Sequence, residues 1–125
     1  MTWTVLFHPE FEAEYGALSQ EVQNELLARL AVLRQFGPTL GRPTVDTLNG
    51  SSFSNMKELR FNADDGVWRF AFAFDQQRRA IILVGGDKEG EVQAKFYKKL
   101  IDVADKRFAA HVATLRRSTG GKKKR

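Results

Sequence analysis

Two arginines, Arg60 and Arg69, stand in neighbouring segments that both have the composition of β-strands. In the second segment the aromatic residues occupy every even position from Trp68 to Phe74, so Arg69 must point to the opposite face of the sheet. A hairpin with a four-residue connection at 63–66 that keeps the apolar residues of both strands on one face places Arg60 directly opposite Arg69. Two like charges in this arrangement repel each other unless an anion lies between them. Because the planar guanidinium group suits phosphate, the pair predicts a phosphate site.

Two further residues could contribute chemistry on the same face. Glu58 shares the face with Arg60, and its carboxylate would either accept a proton or orient that arginine. Lys88 follows Gly85 and Gly86, which let the chain curl the lysine inward. The alternative is purely structural: both arginines are solvated and bridged by Glu58, and Lys88 is a surface residue in a turn.

The hydrophobic pattern predicts the elements that must position these residues. Strands are expected at 3–7, 56–62, 67–74 and 79–84, two helices within 9–36, a loop at 37–54 and a final helix at 92–115. This β-α-α-β-β-β-α order is typical of an α+β domain. We expect a small, twisted, mostly antiparallel sheet with two N-terminal helices on its aromatic face and a long C-terminal helix.

The register of the last hairpin can also be predicted from alternation. Continuing the pattern across the connection at 75–78 pairs Phe72 with Ile81 and Phe70 with Leu83 in the aromatic core. In this register Ile82 lies on the arginine face.

Charge is distributed unevenly along the chain. The whole sequence has 125 residues and a net charge of +5, yet its last ten residues contain six lysines or arginines and no acid. We therefore predict one nearly neutral domain over 1–115, followed by a basic, disordered tail at 116–125.

The composition also restricts the function classes. The chain has no cysteine, and its two histidines, His8 and His111, are too few for a metal site, so we expect no metal and no cofactor. The longest apolar run, 80–84, is far shorter than the roughly 20 residues that span a membrane. Without a recognisable signal sequence, the expected location is the cytoplasm, with no membrane contact.

Four motifs follow one another along the chain: KELR at 57–60, GVWRF at 66–70, VGGDK at 84–88 and KFYKKLI at 95–101. Together they resemble the RelE/ParE superfamily of toxins, above all its phage-derived, HigB-like branch, over roughly 3–115. The resemblance implies a RelE-like fold and the toxin of a type II toxin–antitoxin system. For many members it implies a ribosome-dependent mRNA endonuclease that needs no metal and leaves a 2′,3′-cyclic phosphate. The implied partners are a helix-turn-helix antitoxin, the ribosome and mRNA.

The resemblance also implies roles for individual residues. Arg60 and Arg69 match the strand positions that hold the scissile phosphate, and Lys88 matches the basic residue after the last strand. Tyr97 matches an aromatic residue that stacks on a substrate base. With Glu58, whose position holds lysine in some relatives, these residues form the predicted catalytic set. Contacts with RNA or the ribosome are predicted for Lys57, Lys95, Lys98 and Lys99.

Two other functions stay open at this point. ParE-like members of the superfamily act on DNA gyrase, but they lack the basic set formed by Arg60, Arg69 and Lys88, which favours RNA as the target. A phage-derived protein that has lost activity would be a non-catalytic interaction module on the same fold.

Overall fold

The computed structural model describes the backbone of residues 2–123 and the side chains of residues 2–117. Its elements in chain order are β1 (Thr4–Phe7), α1 (Pro9–Tyr15), α2 (Gln20–Phe36), a 3-10 turn (Gly37–Thr39), β2 (Val45–Thr47), β3 (Met56–Ala63), β4 (Gly66–Phe74), β5 (Arg79–Asp87) and α3 (Gln93–Lys123). The predicted order of elements is confirmed with one addition. The added strand, β2, lies in the segment that the sequence indicates to be a loop.

The strands form one five-stranded sheet in the order β1-β5-β4-β3-β2. β1 runs parallel to β5, and the other three pairs are antiparallel. The sheet is therefore mixed and mostly antiparallel, and the fold is α+β as predicted.

Local sequence signals define both ends of α2. The Ser19 side chain accepts a hydrogen bond from the backbone N–H of Val22 at 3.3 Å, which caps the first turn. Gly37 ends the helix with φ +58°, and an added Cβ there would lie 2.3 Å from the Trp3 side chain. Only glycine fits this position, because the backbone is left-handed and the indole packs directly on it.

Helices cover both faces of the sheet. α1 and α2 pack on the aromatic face, where Phe11, Leu26 and Leu33 contact the core around Phe70 and Phe72. α3 packs on the opposite face through an i, i+4 stripe. The stripe consists of Phe96, Leu100, Ala104 and Phe108, and it covers Met56, Ala71 and Ala73. α3 therefore covers part of the face that carries the arginines, and a cleft stays open beside its first turns.

The first hairpin has the register expected from the aromatic alternation. Arg60 is the cross-strand partner of Arg69, and Phe61 is the partner of Trp68. The connection between the strands is shorter than the predicted four residues. Asp64 and Asp65 form a two-residue turn with φ 52° and 58°, the conformation that matches the twist of a hairpin.

The predicted register of the second hairpin is wrong, by one residue at Phe72 and by two residues at Phe70. Phe72 lies opposite Ile82 rather than Ile81, and Phe70 lies opposite Gly85 rather than Leu83. A Cβ added at Gly85 would lie 2.2 Å from the Phe70 ring, so the glycine makes room for the aromatic side chain. Ile82 consequently packs in the core beneath α1 and α2, not on the arginine face.

A β-bulge is the physical reason for this difference. Ala71 pairs with Val84 while Phe72 pairs with Ile82, which leaves Leu83 as the extra residue in β5. Leu83 and Val84 both belong to the hydrophobic cluster beneath α3. Since this part of β5 is a continuous apolar run, alternation in the sequence contains no signal for the bulge.

α3 extends beyond its predicted end near Leu115. The backbone is helical to Lys123, where the sequence analysis expects a disordered tail from Arg116 onward. The apolar stripe weakens after Val112, but no proline interrupts the helix, so the pattern misplaces its end. Lys124 and Arg125 lie outside the described residues. Within the part of the chain that the structure describes, no helix is both long and apolar enough to cross a membrane.

Candidate active site

A cleft of about 420 Å³ lies between β2, β3, the turn after β5 and the first turns of α3. Its lining includes Glu58, Arg60, Lys88 and Tyr97, four of the five residues in the predicted catalytic set. Arg69 is not in the lining, because it is buried under the cleft with 7% of its surface exposed. The structure thus brings together residues that are up to 39 positions apart in the sequence.

Three elements fix the positions of these side chains. β3 presents Glu58 and Arg60 on one face because their positions differ by two. The backbone N–H of Lys88 donates to the carbonyl of Val67 at 2.8 Å, which ties the turn after β5 to β4. Tyr97 lies in the second turn of α3 and reaches the cleft from above the sheet.

Glu58, Arg69 and Tyr97 form a polar cluster at the floor of the cleft, with Arg69 beneath the other two. The Tyr97 hydroxyl donates a hydrogen bond to Oε1 of Glu58 at 2.8 Å. Arg69 places its Nε 3.9 Å from the same oxygen, and its Nη1 donates to the Trp68 carbonyl at 2.9 Å. Both Glu58 and Arg69 are 7% exposed, so each charge depends on the other for compensation.

The environment of Tyr97 keeps its phenol protonated. Burial raises the pKa of Tyr97 above its usual value, and the hydrogen bond to the Glu58 carboxylate raises it further. The ammonium group of Lys88 lies 5.7 Å from the centre of the Tyr97 ring, within the range of a cation–π contact. The ring thus has a cation next to it, in the position where the sequence analysis expects a substrate base.

Arg60 remains accessible and has a partner that sequence reasoning missed. Its Nη1 lies 3.7 Å from Oδ2 of Asp46, and the two side chains are 33% and 36% exposed. Asp46 is the cross-strand partner of Glu58, so the two side chains lie on the same face of the sheet. The repulsion between Arg60 and Arg69 is therefore offset by one carboxylate next to each guanidinium group.

Asp46 escaped the sequence analysis because β2 has only three residues and lies in a segment rich in glycine, proline and serine. Gln93 and Asn49, which also line the cleft, lie where no pattern distinguishes them from surface residues. The one available signal was the Val45-Asp46-Thr47 alternation, which is too short to indicate a strand without the structure.

None of the four lysines predicted to contact RNA lines the cleft. Lys57 alternates to the opposite face of β3 from Glu58. Lys95 is exposed on α3, as are Lys98, which pairs with Asp102 at 3.4 Å, and Lys99, which lies 3.8 Å from Glu91. The three lysines of α3 lie on a solvated surface of that helix, and the role of all four lysines in RNA contact stays a prediction.

The two histidines lie away from the cleft. His8 caps α1 by accepting from the N–H of Glu10, and burial together with the charge of Arg107 lowers its pKa. His111 contacts Asp75 at 2.8 Å. Neither imidazole is available for chemistry at the arginine pair.

Asp75 itself organises the turn between β4 and β5. Burial raises the pKa of Asp75, but hydrogen bonds from His111 and Arg79 outweigh this effect, so the pKa lies below its usual value. Arg79 reaches the carboxylate with both Nε and Nη2, at 3.0 and 2.8 Å.

The cleft therefore combines three cations, two carboxylates and a protonated phenol. Arg60 and Lys88 are accessible donors for an anionic ligand, whereas Arg69 acts from below through the field of its charge. A phosphodiester is a ligand of this kind, and a carboxylate hydrogen-bonded to a phenol can take up or release a proton beside it.

Comparison with known proteins relates the chain to a toxin family. Residues 13–109 match the family described as "Phage derived protein Gp49-like". The chain is 43% identical over 103 residues to "Putative toxin HigB3" of Mycobacterium tuberculosis, and the match covers 82% of this chain and 88% of that protein. It is 39% identical over 111 residues to "Putative toxin HigB2" of the same organism, covering 88% of this chain and 55% of that protein.

A solved structure has a similar fold. A double-arginine mutant of the E. coli toxin RelE in the free state superposes with a TM-score of 0.58. The superposition covers 81% of this chain and 95% of that one, at 14% sequence identity. At this identity the likeness concerns the fold alone.

Proposed function

Because the chain belongs to the Gp49-like family of phage-derived proteins and is a toxin of a toxin–antitoxin system of the HigB type, we propose that it is a ribosome-dependent endoribonuclease that cuts mRNA. The observation that carries the proposal is the cleft where Arg60, Lys88 and Tyr97 meet around Glu58. Protein contact alone does not require accessible cations such as Arg60 and Lys88 next to a buried carboxylate such as Glu58.

The RNA would supply its own nucleophile. The 2′-oxygen attacks the neighbouring phosphorus atom, and the bond from phosphorus to the 5′-oxygen breaks. Arg60 and Lys88 donate hydrogen bonds to the phosphate oxygens, whose negative charge grows in the pentacoordinate transition state. The Arg69 charge supports them from beneath the cleft.

Proton transfer accompanies this displacement. The 2′-hydroxyl gives its proton to the Tyr97 oxygen while the Tyr97 proton moves along its existing hydrogen bond to Glu58. The route passes through Tyr97 because its hydroxyl already donates a hydrogen bond to Glu58, whose carboxylate is the less exposed of the two groups. The Lys88 ammonium group protonates the departing 5′-oxygen, so the products are a 2′,3′-cyclic phosphate and a 5′-hydroxyl.

Primer extension on mRNA from cells that express the chain tests the proposal. We expect new 5′ ends at defined codon positions shortly after induction, and their loss with Arg60→Ala, since removing one donor to a developing oxyanion reduces the rate by about 10²–10³-fold. Arg34→Ala is the matched control, because that arginine is exposed on α2, which packs on the other face of the sheet. Growth arrest with intact mRNA would refute cleavage and favour another target such as gyrase.

A further inference from the structure

The turn that follows β5 carries Lys88 into the cleft, and its geometry depends on the side chain of Asp87. Oδ1 of Asp87 accepts two backbone hydrogen bonds, one from the N–H of Val67 and one from the N–H of Glu89, both at 2.9 Å. Asp87 is exposed and does not line the cleft. Its carboxylate therefore has a structural task next to a residue of the candidate site.

The carboxylate of Asp87 replaces a backbone group at the end of the sheet. Trp68 is the cross-strand partner of Asp87, so the next pair of the antiparallel ladder would join Val67 to Lys88. Half of that pair is present, because the Lys88 N–H donates to the Val67 carbonyl at 2.8 Å. The Lys88 carbonyl instead accepts from the N–H of Glu91 at 3.2 Å, and the Val67 N–H donates to Asp87. The carboxylate thus completes the ladder at the point where the chain leaves the sheet.

Gly66 makes room for this carboxylate. A Cβ added at Gly66 would lie 2.7 Å from Oδ2 of Asp87 and 2.7 Å from Nε1 of Trp68. Both groups would have to move to admit any side chain at this position. The glycine of the GVWRF motif and the aspartate of the VGGDK motif therefore belong to one arrangement, although they lie in different strands.

The ammonium group of Lys88 depends on its backbone for its position. The two carboxylates that line the cleft pair with arginines. The contact of Lys88 with the ring of Tyr97, at 5.7 Å, leaves its N–H groups free to donate to a ligand. Because lysine is a point charge on a flexible four-carbon chain, its reach is reproducible only when the backbone beneath it is fixed.

We propose that Asp87 is the positioning residue that holds Lys88 in the cleft. By binding the N–H groups of Val67 and Glu89 with one oxygen, it fixes where the chain leaves the sheet and hence how far the Lys88 ammonium group reaches. Asp87 acts through Lys88 and not on the RNA. The effect on catalysis rests on the proposed function, in which Lys88 is the general acid.

Single-turnover cleavage on programmed ribosomes, with the protein in excess, measures this effect. Asp87→Ala removes the acceptor, and we expect the maximal rate to fall about 100-fold, as for a catalytic group misplaced by about 1 Å, with less than about a threefold change in the half-saturating protein concentration. Asp87→Asn keeps one oxygen that can accept both hydrogen bonds, so its rate should stay within about threefold of wild type. Adding Asp87→Ala to Lys88→Ala should cost less than about a further threefold, because the two residues act as a unit.

NMR of the free protein gives a readout that does not need cleavage. In wild-type protein the ring current of Tyr97 shifts the ε-methylene protons of Lys88, and hydrogen bonds protect the amides of Val67 and Glu89 from exchange. We expect Asp87→Ala to lose the ring-current shift and to exchange both amide protons about 10-fold faster, whereas Asp87→Asn keeps both properties.

The matched control for both measurements is Glu21→Ala. Glu21 is an exposed carboxylate on α2 that accepts from the backbone N–H of Asp64 at 2.7 Å, in the turn between β3 and β4. Its loss removes a hydrogen bond of the same kind on the side of the sheet away from the cleft. The Lys88 resonances should therefore stay as in wild type, and the cleavage rate should change less than about threefold.

Thermal unfolding shows whether Asp87→Ala folds. If it does not, Gly66→Ala decides, because its Cβ displaces the carboxylate while Asp87 remains in the sequence. Wild-type Lys88 resonances and a wild-type rate in the folded variant would overturn the proposal. So would an Asp87→Asn rate as low as that of Asp87→Ala, which would indicate a role for the charge, or a further 100-fold loss in the Lys88→Ala background, which would indicate an effect elsewhere in the fold. If wild-type protein cuts no mRNA while the Lys88 resonances respond as expected, the proposed function fails and the positioning of Lys88 by Asp87 stands.

Discussion

Replacing Tyr97 by phenylalanine removes a single oxygen atom and with it the 2.8 Å hydrogen bond to Oε1 of Glu58. The aromatic ring and its contact with Lys88 stay in place. The substitution therefore separates the two roles that Tyr97 could have, proton transfer through the hydroxyl and stacking through the ring.

The loss of stability can be worked out from the burial of the pair. A hydrogen bond to a charged group contributes about 1.5–3 kcal/mol, and the lower end applies here because Tyr97 is only half-buried. At about 2.1 cal/mol/K of unfolding entropy per residue, a loss of about 1.5 kcal/mol lowers Tm by about 6 °C. Calorimetric melting of wild-type protein and variant measures this shift.

The effect on activity should be larger than the effect on stability. If Tyr97 relays the 2′-proton to Glu58, the single-turnover cleavage rate on programmed ribosomes falls by about 10²–10⁴-fold in Tyr97→Phe. Tyr15→Phe is the matched control, because Tyr15 is a half-buried tyrosine on α1 that does not line the cleft. A Tyr97→Phe variant with wild-type Tm and wild-type cleavage would refute both the hydrogen bond's contribution and the relay.

Three further substitutions have expected outcomes. Arg69→Ala leaves Glu58 buried without its cation, so we expect the free energy of unfolding to fall by about 3 kcal/mol in denaturant titrations. Asp46→Asn frees Arg60 from its partner, which should leave stability within about 1 kcal/mol and change the KM for ribosome-bound mRNA, measured by initial rates. Asp75 has a lowered pKa in the folded state, so it stabilises the protein above its unfolded pKa of about 4, and this stability is lost as pH falls below that value. Asp75→Asn should therefore be less stable than wild type at pH 7, and its Tm should fall less steeply than that of wild type as the pH is lowered below about 4.

The arginine pair could be predicted because β4 alternates without interruption. Four aromatic residues on one face of β4 decide which residues of β3 share that face, and the short connection between the strands then places Arg60 opposite Arg69. The register of β5 could not be predicted, because its apolar run fits either face and the bulge at Leu83 changes the pairing.

The burial of Arg69 had no signal in the sequence. The apolar stripe of α3 indicates which side of the helix is buried, but not which face of the sheet it covers. Only the packing of α3 on the arginine face brings Tyr97 to Glu58 and seals Arg69 beneath them. Asp46 depends in the same way on β2, whose pairing with β3 no local pattern indicates.

The chemical form of the new mRNA ends is decisive for the proposed cleavage reaction. Purified wild-type protein is added to ribosomes programmed with a defined mRNA, and the new 3′ ends are analysed by their resistance to polyadenylation before and after removal of terminal phosphate. We expect 2′,3′-cyclic phosphate ends that form with wild-type protein and Arg34→Ala but at least about 100-fold more slowly with Arg60→Ala. Ends with a free 3′-hydroxyl, or equal cleavage by Arg60→Ala, would contradict it.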